Sequence, residues 1–408
     1  MNEAAELRSD GEANIVKAPK LRLAINGKFL SQTSPRSGVY RVAYEIMLAL
    51  DRLLSNDPEL AERVSCCVIV PGSKAYGLSL KTLSIEYSDR VVAKIDSRLW
   101  EQFVLPWMAK GRTLLNLCNL GPVAYGNAFT MMHDAQVRAS PDSYSLAFRL
   151  WYGLIQPRLA RRNRAILTVS AFSRDQLDHY GIVGAGRVRV VHNGCDHVLR
   201  LKAEHSAIQR FGLERKKYVI ALANTQKHKN IGVLFEAFQA KNLDGITLAL
   251  FGSASRDDFE KLGHVVPQSV KFLGRIQDDE LSGLLRGAIA LAFPSLTEGF
   301  GLPPLEAMVL GCPVVAAPCG ALVEVCGDAV LWADPYAPNE WAAHISFLHS
   351  NPDQAASIVD AGYIHAANFT WENAARRLIE VVANEEERGS RCVSEKSGKD
   401  AYDFKAAK

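Results

Sequence analysis

The chain has 408 residues, of which 48% are hydrophobic and 22% charged, and its formal net charge at pH 7 is +3. This length allows two domains of ordinary size. No run of about 18 apolar residues occurs, which argues against a membrane-spanning helix. The polar start, "MNEAAELRSDGEANIVKAPK", lacks the apolar middle of a signal peptide. We therefore expect a cytoplasmic protein in which residues 1–20 form a flexible arm.

Charge is divided unevenly along the chain. Residues 1–197 carry 25 lysines and arginines against 18 acids, whereas the remainder carries 22 against 26. A basic half suits an anionic partner or an anionic membrane surface. No nucleic-acid motif is visible, so we expect no nucleic-acid partner. The eight cysteines show no CxxC pair and no zinc-ligand spacing, which favours buried free thiols.

In the first half of the chain, β-branched apolar runs alternate with amphipathic helical patterns. The first predicted helix, "VYRVAYEIMLALDRLL", has Val39, Val42, Ile46, Leu50 and Leu53 at a spacing of three to four residues. Strand–helix alternation predicts a parallel sheet covered by helices. The predicted strands cover residues 21–27, 64–72, 113–119, 129–135, 165–170 and 188–194.

The alternation loosens over the charged residues 197–217, which we interpret as a linker, and then restarts. The sequence predicts an α/β protein with two Rossmann-like, doubly wound parallel-sheet domains, residues 21–196 and 218–368, that face a cleft. A helix over 369–386 and a flexible tail over 387–408 are expected to end the chain. The predicted strands of the second domain cover residues 218–224, 246–252, 270–275, 288–295, 312–318 and 329–335.

The stretch "FPSLTEGFGLPPLEAMVLGCPVVAAP", residues 293–318, carries the strongest signal for a binding site. A buried strand leads into a glycine loop, and Pro303 and Pro304 fit the first turn of a following helix. Gly299 and Gly301 let backbone N–H groups approach a ligand closely, and the helix start adds donors and a positive dipole end. This arrangement predicts a binding place for an anion such as a diphosphate.

Two glutamates flank this loop, eight positions apart. A carboxylate accepts hydrogen bonds in pairs, which suits vicinal sugar hydroxyls. Glu306, placed in the first turn of the predicted helix, is a candidate for holding a ribose, and Glu298 is a candidate for facing a second sugar. On spacing alone, a solvated Glu298 and a helix-capping Glu306 remain an alternative.

Together these elements resemble the retaining glycosyltransferases of family 4, which have the two-domain GT-B fold. The resemblance covers residues 21–385, and "EGFGLPPLEAM" with the following "GCPVVAA" is its most specific part. It implies that Glu306 holds the nucleotide ribose and that Glu298 acts as a catalytic group on the donor sugar. The loop residues implied in donor binding are Gly299, Phe300, Gly301 and Leu302.

Three other segments fall in the order of that family. "LANTQKHKNIGVLFEAF" is similar to the segment whose lysine binds the donor diphosphate, here Lys229. Many members have an arginine five residues earlier, where this chain has Asn224, and Lys227 is a candidate to compensate. In "SPRSGVYRVAYEIMLAL", the resemblance implies donor binding at Gly38. In "TMMHDAQV", it implies a catalytic His133 facing the donor sugar and the attacking hydroxyl.

The resemblance implies transfer of a hexosyl group, with mannosyl as one choice, to a hydroxyl of a glycan or polyprenyl-linked glycan acceptor. The donor would be a nucleoside-diphosphate sugar, with GDP-mannose ranked first and a UDP-hexose second. Retention of configuration and a place in surface polysaccharide biosynthesis are also implied. No D-x-D element stands at a strand end, so no cofactor and no metal are expected. Lys229 and loop amides would then stabilise the leaving diphosphate.

Two basic, aromatic stretches, residues 98–112 and 145–164, are candidates for peripheral contact with an anionic membrane, at the inner face of the plasma membrane. Core-packed helices with a basic solvent face are the alternative. For the whole protein, a catalytically silent nucleotide-sugar-binding regulator stays open because of Asn224, as does a GT-B epimerase. A dinucleotide-binding oxidoreductase is disfavoured, because no G-x-G-x-x-G follows the first strand.

Overall fold

The computed structural model describes residues 20–31, 38–72, 79–88, 97–184 and 186–406, with side chains up to residue 389. The predicted arm lies outside these residues except for Lys20. Within them, thirteen strands form two sheets, and every pairing between neighbouring strands is parallel. No helix in this described part of the chain is both long enough and apolar enough to cross a membrane.

The first domain is built on a seven-stranded sheet. Its strands are β1 Leu21–Asn26, β2 Val64–Val70, β3 Ser84–Tyr87, β4 Thr113–Asn116, β5 Ala128–Met131, β6 Ala165–Thr168 and β7 Val188–Val190. Their order across the sheet is β3-β2-β1-β4-β5-β6-β7. The helices are α1 Gly38–Asn56, α2 Pro58–Arg63, α3 Ser97–Leu99, α4 Leu105–Met108, α5 Gln136–Ala139, α6 Leu146–Arg162 and α7 Ala171–His179. A π-helical turn, Trp100–Val104, joins α3 to α4.

The second domain is built on a six-stranded sheet. Its strands are β8 Tyr218–Ala223, β9 Thr247–Gly252, β10 Val270–Gly274, β11 Ala290–Phe293, β12 Val314–Ala316 and β13 Leu331–Trp332. Their order is β10-β9-β8-β11-β12-β13. The helices are α8 Ser206–Arg210, α9 Gly232–Ala237, α10 Arg256–Lys261, α11 Asp278–Gly287, α12 Leu302–Val309, α13 Leu322–Cys326, α14 Pro338–Ser350, α15 Pro352–Ala366 and α16 Trp371–Ala406.

Two doubly wound parallel sheets confirm the predicted fold class, and all twelve predicted strands are present. Strand β3 was not predicted. It lies at the edge of the first sheet, and its four residues are exposed or half-buried. Because an edge strand needs no apolar run on both faces, its sequence "SIEY" carries little strand signal.

Both faces of the first sheet are covered, as parallel sheets require. Along β1, Leu23 and Ile25 pack into the core on the side of α1, whereas Ala24 packs on the other side with Trp100. On β2, Cys66 packs on the side of α1 and Cys67 packs on the side of Trp100. Burial raises the pKa of both thiols, and the pKa of Cys67 reaches about 11. Neighbouring apolar residues on one strand therefore serve two separate cores.

The last helix, α16, starts in the second half of the chain and packs along α1 of the first domain. Its first residue anchors it, because the Trp371 backbone N–H donates to Asp196 Oδ1 at 2.8 Å and the indole is fully buried. Further along, Glu385 pairs with Arg189 at 2.7 Å. The chain therefore closes back onto the domain from which it began.

We predicted that this helix ends at residue 386 and that a tail follows, but the helix continues to Ala406. The continuation contains no proline and is rich in Glu, Arg, Lys and Ala. Gly389 and Gly398 lower the helix propensity of this continuation, yet the helix passes through both, so polarity alone was a poor sign of where the helix ends.

Gly194 provides a test of how tightly the start of α16 is packed. A Cβ at this position would overlap the backbone nitrogen of Trp371. The change Gly194→Ala should therefore destabilise the protein by about 1–3 kcal/mol, because backbone must shift to admit the methyl group. The measurement is urea unfolding followed by circular dichroism. Gly184→Ala is the matched control, since its Cβ would meet no atom within 4 Å, and equal midpoints for both variants would contradict the packing described.

Candidate active site

The candidate site lies between the domains, where loops leave the carboxyl ends of β5 and β11. A Cβ on Gly299 would lie 2.8 Å from the His133 carbonyl oxygen and 3.1 Å from Asp134 Cβ. Only glycine permits so close an approach between these two loops. Ser170 Oγ also donates to the Gly299 carbonyl at 2.6 Å. The glycine loop of the second domain is therefore held directly against the first domain.

Lys229 and Glu298 form an ion pair inside this cleft. Lys229 Nζ lies 2.6 Å from Glu298 Oε1, and the two side chains are 18% and 14% exposed. The lysine closes a short helical turn after β8, and the glutamate lies in the loop after β11. Because β8 and β11 are neighbours in the sheet, their loops meet. Two residues that the sequence singled out separately are thus brought together.

Glu306 lies on α12, but not in its first turn as we predicted. The helix begins at Leu302, after Gly301 with a left-handed φ of 104°, so Glu306 is its fifth residue. His197 Nε2 lies 3.1 Å from Glu306 Oε1. Trp371 Nε1 donates to His197 Nδ1 at 3.1 Å, which leaves the proton of a neutral imidazole on Nε2, facing the carboxylate.

The contact between these two groups is electrostatic rather than a well-aligned hydrogen bond. His197 is 3% exposed, and its Nε2 has no hydrogen-bond partner among the described residues despite the short distance to Glu306. A buried N–H without a partner is costly. It leaves a donor beside Glu306 and holds a partial positive charge near that carboxylate.

His133 stands at the end of β5, buried against the glycine loop. Its Nε2 donates to the Leu117 carbonyl at 2.9 Å, and Asn119 Oδ1 accepts from its backbone N–H at 2.8 Å. Burial lowers the pKa of His133, which keeps the imidazole neutral. These bonds orient the ring with Nδ1 as the nitrogen that has no proton.

The next residue, Asp134, adds a carboxyl group to the cleft. Burial raises the pKa of Asp134, and the charge of Glu298 across the cleft raises it further. The Gln136 N–H and the ammonium group of Lys229 act in the opposite direction. Asp134 thus responds to charged groups of the second domain, so acids of both domains share one electrostatic environment.

Two loop residues that the resemblance implied in donor binding have different tasks in the fold. Phe300 is 5% exposed, and its ring packs near those of His192 and Phe369, with centroids 6.2 and 6.1 Å away. A ligand contact from Phe300 would therefore use its backbone. Leu302, half-buried, keeps an N–H donor at the first position of α12. Pro303 and Pro304 have none, so the helix start offers fewer donors than we expected.

Asn224 and Gly38 lie at the ends of other elements of the cleft. Asn224 Oδ1 accepts from the Gln226 backbone N–H at 2.8 Å, so this side chain shapes the turn after β8. Lys227, the candidate to compensate for the missing arginine, is exposed. Gly38 begins α1, and a Cβ there would meet no atom of the described residues within 4 Å.

Arg41, in the first turn of α1, is a cation that our sequence analysis missed. Its guanidinium pairs with Asp278 of the second domain at 2.9 Å. Burial alone would lower the pKa of Arg41, but nearby carboxylates, Glu306 first among them, outweigh burial and raise it. A positive charge from the first domain therefore reaches the surroundings of Glu306.

A cavity of about 400 Å³ opens on the first-domain side of the cleft, next to Asp134. Three aromatic rings, Tyr144, Phe148 and Tyr152, stack along one wall, with successive centroids 5.4 and 4.2 Å apart. Asn119 supplies a polar group to the same cavity. Flat apolar rings next to hydrogen-bonding groups suit a ring-shaped polar molecule.

On the outside of the cleft, Glu324 of α13 caps a helix of the other domain. Its two carboxylate oxygens accept from the backbone N–H groups of Ala171 and Phe172, at 2.9 and 3.1 Å, at the start of α7. His192 Nε2 lies 2.9 Å from the same carboxylate. A negative charge at a helix N-terminus is favourable. Glu324 therefore holds the domains together beside the glycine loop.

Comparison with known proteins places this arrangement in a family. Residues 205–365 match the family model "Glycosyl transferases group 1". The O-antigen chain mannosyltransferase B of Escherichia coli is 34% identical over 229 residues, which are 53% of this chain and 59% of that protein. A D-inositol 3-phosphate glycosyltransferase of Salinispora arenicola is 31% identical over 311 residues, which are 70% of this chain and 67% of that protein. The chain belongs to the group 1 glycosyltransferase family.

Solved structures agree on the fold of this group 1 glycosyltransferase. The Anabaena protein Alr3699/HepE, in complex with UDP and glucose, superposes with a TM-score of 0.63 at 18% identity, over 89% of this chain and 100% of that one. The GT-B architecture is thus confirmed. The region matched by the family model contains Lys229, Glu298 and Glu306. The chain spans about three fifths of the mannosyltransferase's length, 59%.

Sequence analysis did not predict four residues of the site, and these differ in whether a local sequence pattern could have revealed them. Asp134 adjoins His133, and Arg41 lies three residues after Gly38, so a search around the family segments would have found both. His197 and Glu324 act through contacts far away in sequence. No local sequence pattern predicts a role for His197 or Glu324.

The contact made by Glu324 can be tested by hydrogen exchange. In Glu324→Ala, the amides of Ala171 and Phe172 lose their charged acceptor and should exchange about tenfold faster. Glu372→Ala is the matched control, since this exposed carboxylate pairs only with Arg376 in α16 among the described residues. Unchanged protection at the two amides in Glu324→Ala would refute the interdomain cap.

Proposed function

We propose that this protein transfers a hexosyl group from a nucleoside-diphosphate sugar to a hydroxyl group of a glycan or lipid-linked glycan, with retention of configuration. The observation that carries the proposal is the Lys229–Glu298 pair, 2.6 Å apart, in a cleft lined by the glycine loop and His133. A lysine suits a diphosphate, and a carboxylate suits sugar hydroxyls. Both groups lie side by side, as the two halves of such a donor require.

For donor binding, we propose that the ammonium group of Lys229 exchanges its present partner, Glu298, for the diphosphate. When the diphosphate arrives, the ammonium group turns from Glu298 to phosphate oxygens, and the carboxylate becomes available for hydroxyls of the sugar. Glu306, with the N–H of His197 and the charge of Arg41 nearby, is suited to the ribose. Lysine, arginine and loop N–H groups supply the charge that the leaving diphosphate needs, so the proposal includes no metal.

For the sugar and base, we propose GDP-mannose first and a UDP-hexose second. The mannosyltransferase relative supports mannose. The structural neighbour in complex with UDP and glucose shares 18% identity and therefore supports the fold alone, so a UDP-hexose stays the second choice. A role in surface polysaccharide assembly has the same support, from the O-antigen relative.

In the transfer step, the bond between the anomeric carbon and the diphosphate oxygen breaks, and the acceptor oxygen bonds to that carbon on the same face. The acceptor proton goes to the leaving phosphate, so atoms and charge balance. His133, neutral and fixed by Leu117, contributes a hydrogen-bonding group without a net charge. The aromatic cavity beside Asp134 is the place we assign to the acceptor sugar.

The donor proposal is tested by thermal unfolding in EDTA with GDP-, UDP-, ADP- and dTDP-sugars. GDP-mannose at 100 times its dissociation constant should stabilise the wild type by about 2.7 kcal/mol. Glu306→Gln should abolish the shift, and Glu236→Gln, an exposed acid of α9, should keep it.

Each other result has a distinct meaning. A shift with a UDP-hexose alone would replace the first donor by the second. A shift that requires added Mg²⁺ would overturn the metal-free proposal. If no sugar nucleotide shifts the wild type with or without acceptor, the proposed donor class is wrong.

A separate prediction concerns His133. The change His133→Ala should lower turnover about a hundredfold, because an oriented hydrogen-bonding group is removed from the reacting sugar. Donor affinity, measured by titration calorimetry, should change far less. His179→Ala, at an exposed position on α7, is the control and should retain turnover. Near-normal turnover in His133→Ala would remove this residue from the mechanism.

A further inference from the structure

The helical segment α3 to α4 has an apolar stripe that faces solvent. Leu99, Phe103 and Trp107 follow one another at intervals of four residues and are 51%, 73% and 77% exposed. On the opposite side of the same segment, Trp100 and Leu105 are fully buried against the sheet. The orientation of the segment is therefore fixed, and the stripe cannot turn inward.

Helix α6 carries a second stripe of the same kind. Leu146, Leu150 and Leu154 are 66%, 66% and 46% exposed, again four residues apart, and a shallow groove of about 510 Å³ runs beside them. Tyr152 and Gln156, on another side of this helix, line the cavity beside Asp134. Helix α6 thus uses one side for the cleft and presents apolar residues to solvent on another.

The two stripes lie on helical segments that contact each other. The guanidinium carbon of Arg98, at the start of the first stripe, lies 5.9 Å from the ring centroid of Trp151 on α6. This contact joins the two helical segments side by side. We call the six residues of both stripes the docking surface: Leu99, Phe103, Trp107, Leu146, Leu150 and Leu154.

Positive charge accompanies the α6 half of the docking surface, where Arg138 and Arg149 line the groove beside the leucines. Residues 138–164 contain six arginines and a single acid, Asp142. All six arginines are exposed, and five of them form no ion pair with an acid within the described part of the chain, whereas Arg164 pairs with Glu386. Guanidinium groups bind phosphate in a two-pronged geometry. The five arginines are Arg138, Arg149, Arg158, Arg161 and Arg162.

We propose that the docking surface binds an anionic lipid bilayer, with its six apolar side chains in the interfacial region and the five arginines at lipid phosphates. Apolar residues flanked by basic ones are the composition of interfacial membrane contacts. The charge also selects this occupant, since an apolar protein partner would not require five arginines without acidic partners on the same face.

This orientation has a consequence for the cleft. Because α6 lines the aromatic cavity as well as the docking surface, binding sets that cavity at the bilayer surface. A lipid-linked acceptor would then reach the cavity without leaving the membrane. That consequence rests on the proposed function, whereas membrane binding itself does not.

The test is cosedimentation of the full chain with vesicles. Wild type should bind vesicles of 30 mol% phosphatidylglycerol in phosphatidylcholine and leave pure phosphatidylcholine vesicles largely unbound. The double variant Phe103→Ser/Trp107→Ser should lose at least about tenfold in affinity, since two large apolar side chains no longer enter the interface. Arg149→Gln and Arg158→Gln should each cost about fivefold.

The matched control is Val265→Ser/Ile364→Ser, which removes two apolar residues that are 76% and 75% exposed on the second domain. It should bind vesicles like the wild type. Absence of wild-type binding to the anionic vesicles, or equal losses in both double variants, would overturn the proposal. A wild-type dimer in sedimentation velocity that dissociates in Phe103→Ser/Trp107→Ser, without vesicle binding, would replace the bilayer by a second copy. Donor-induced thermal shifts, measured on the same variants, report on the proposed function separately.

Discussion

The close approach of Gly299 to the end of β5 is the constraint on which the site depends. A side chain at this position would collide with the His133 carbonyl and separate the two loops. With glycine, the loop brings Glu298 within reach of both Lys229 and the electrostatic field of Asp134. Contacts on the outside of the cleft, among them Glu324 at the start of α7, hold the domains in the same relation. The same contact therefore holds the two domains together and positions the charged groups of the cleft.

The charge balance of the cleft bears on the proposed binding of a diphosphate. Acidic groups at positions 134, 298 and 306 are met by Lys229 and by the influence of Arg41. The neutral imidazole of His133 adds no charge. Because the ammonium group of Lys229 already lies against a carboxylate, an incoming phosphate exchanges one anion for another at that cation. Such an exchange avoids desolvating an isolated lysine, which would cost much more.

Local patterns were enough to predict the fold and the donor-side motif, but they did not predict how distant segments meet. Strand–helix alternation located both sheets, and glycine and proline spacing located the start of α12. The neighbourhood of Lys229 and Glu298 follows from β8 lying beside β11, which alternation alone does not specify. The contact of His197 with Glu306, and the use of Phe300 as a core residue, depend on where α16 returns. Such long-range packing leaves no periodic trace in the sequence.

Helix α6 shows why an apolar face on a helix need not mean a core. Its seventeen residues include leucines that stay in solvent and aromatic residues that line a cavity, and only part of the helix packs on the sheet. A core-packed helix with a basic solvent face, our alternative for residues 145–164, would place arginines where Leu146, Leu150 and Leu154 lie. Folding gains nothing from leaving three leucines in water, because their transfer free energy is realised only when another phase or partner covers them. The exposed leucines of this helix are therefore unexplained by the stability of the domain, and the proposed bilayer contact would cover them.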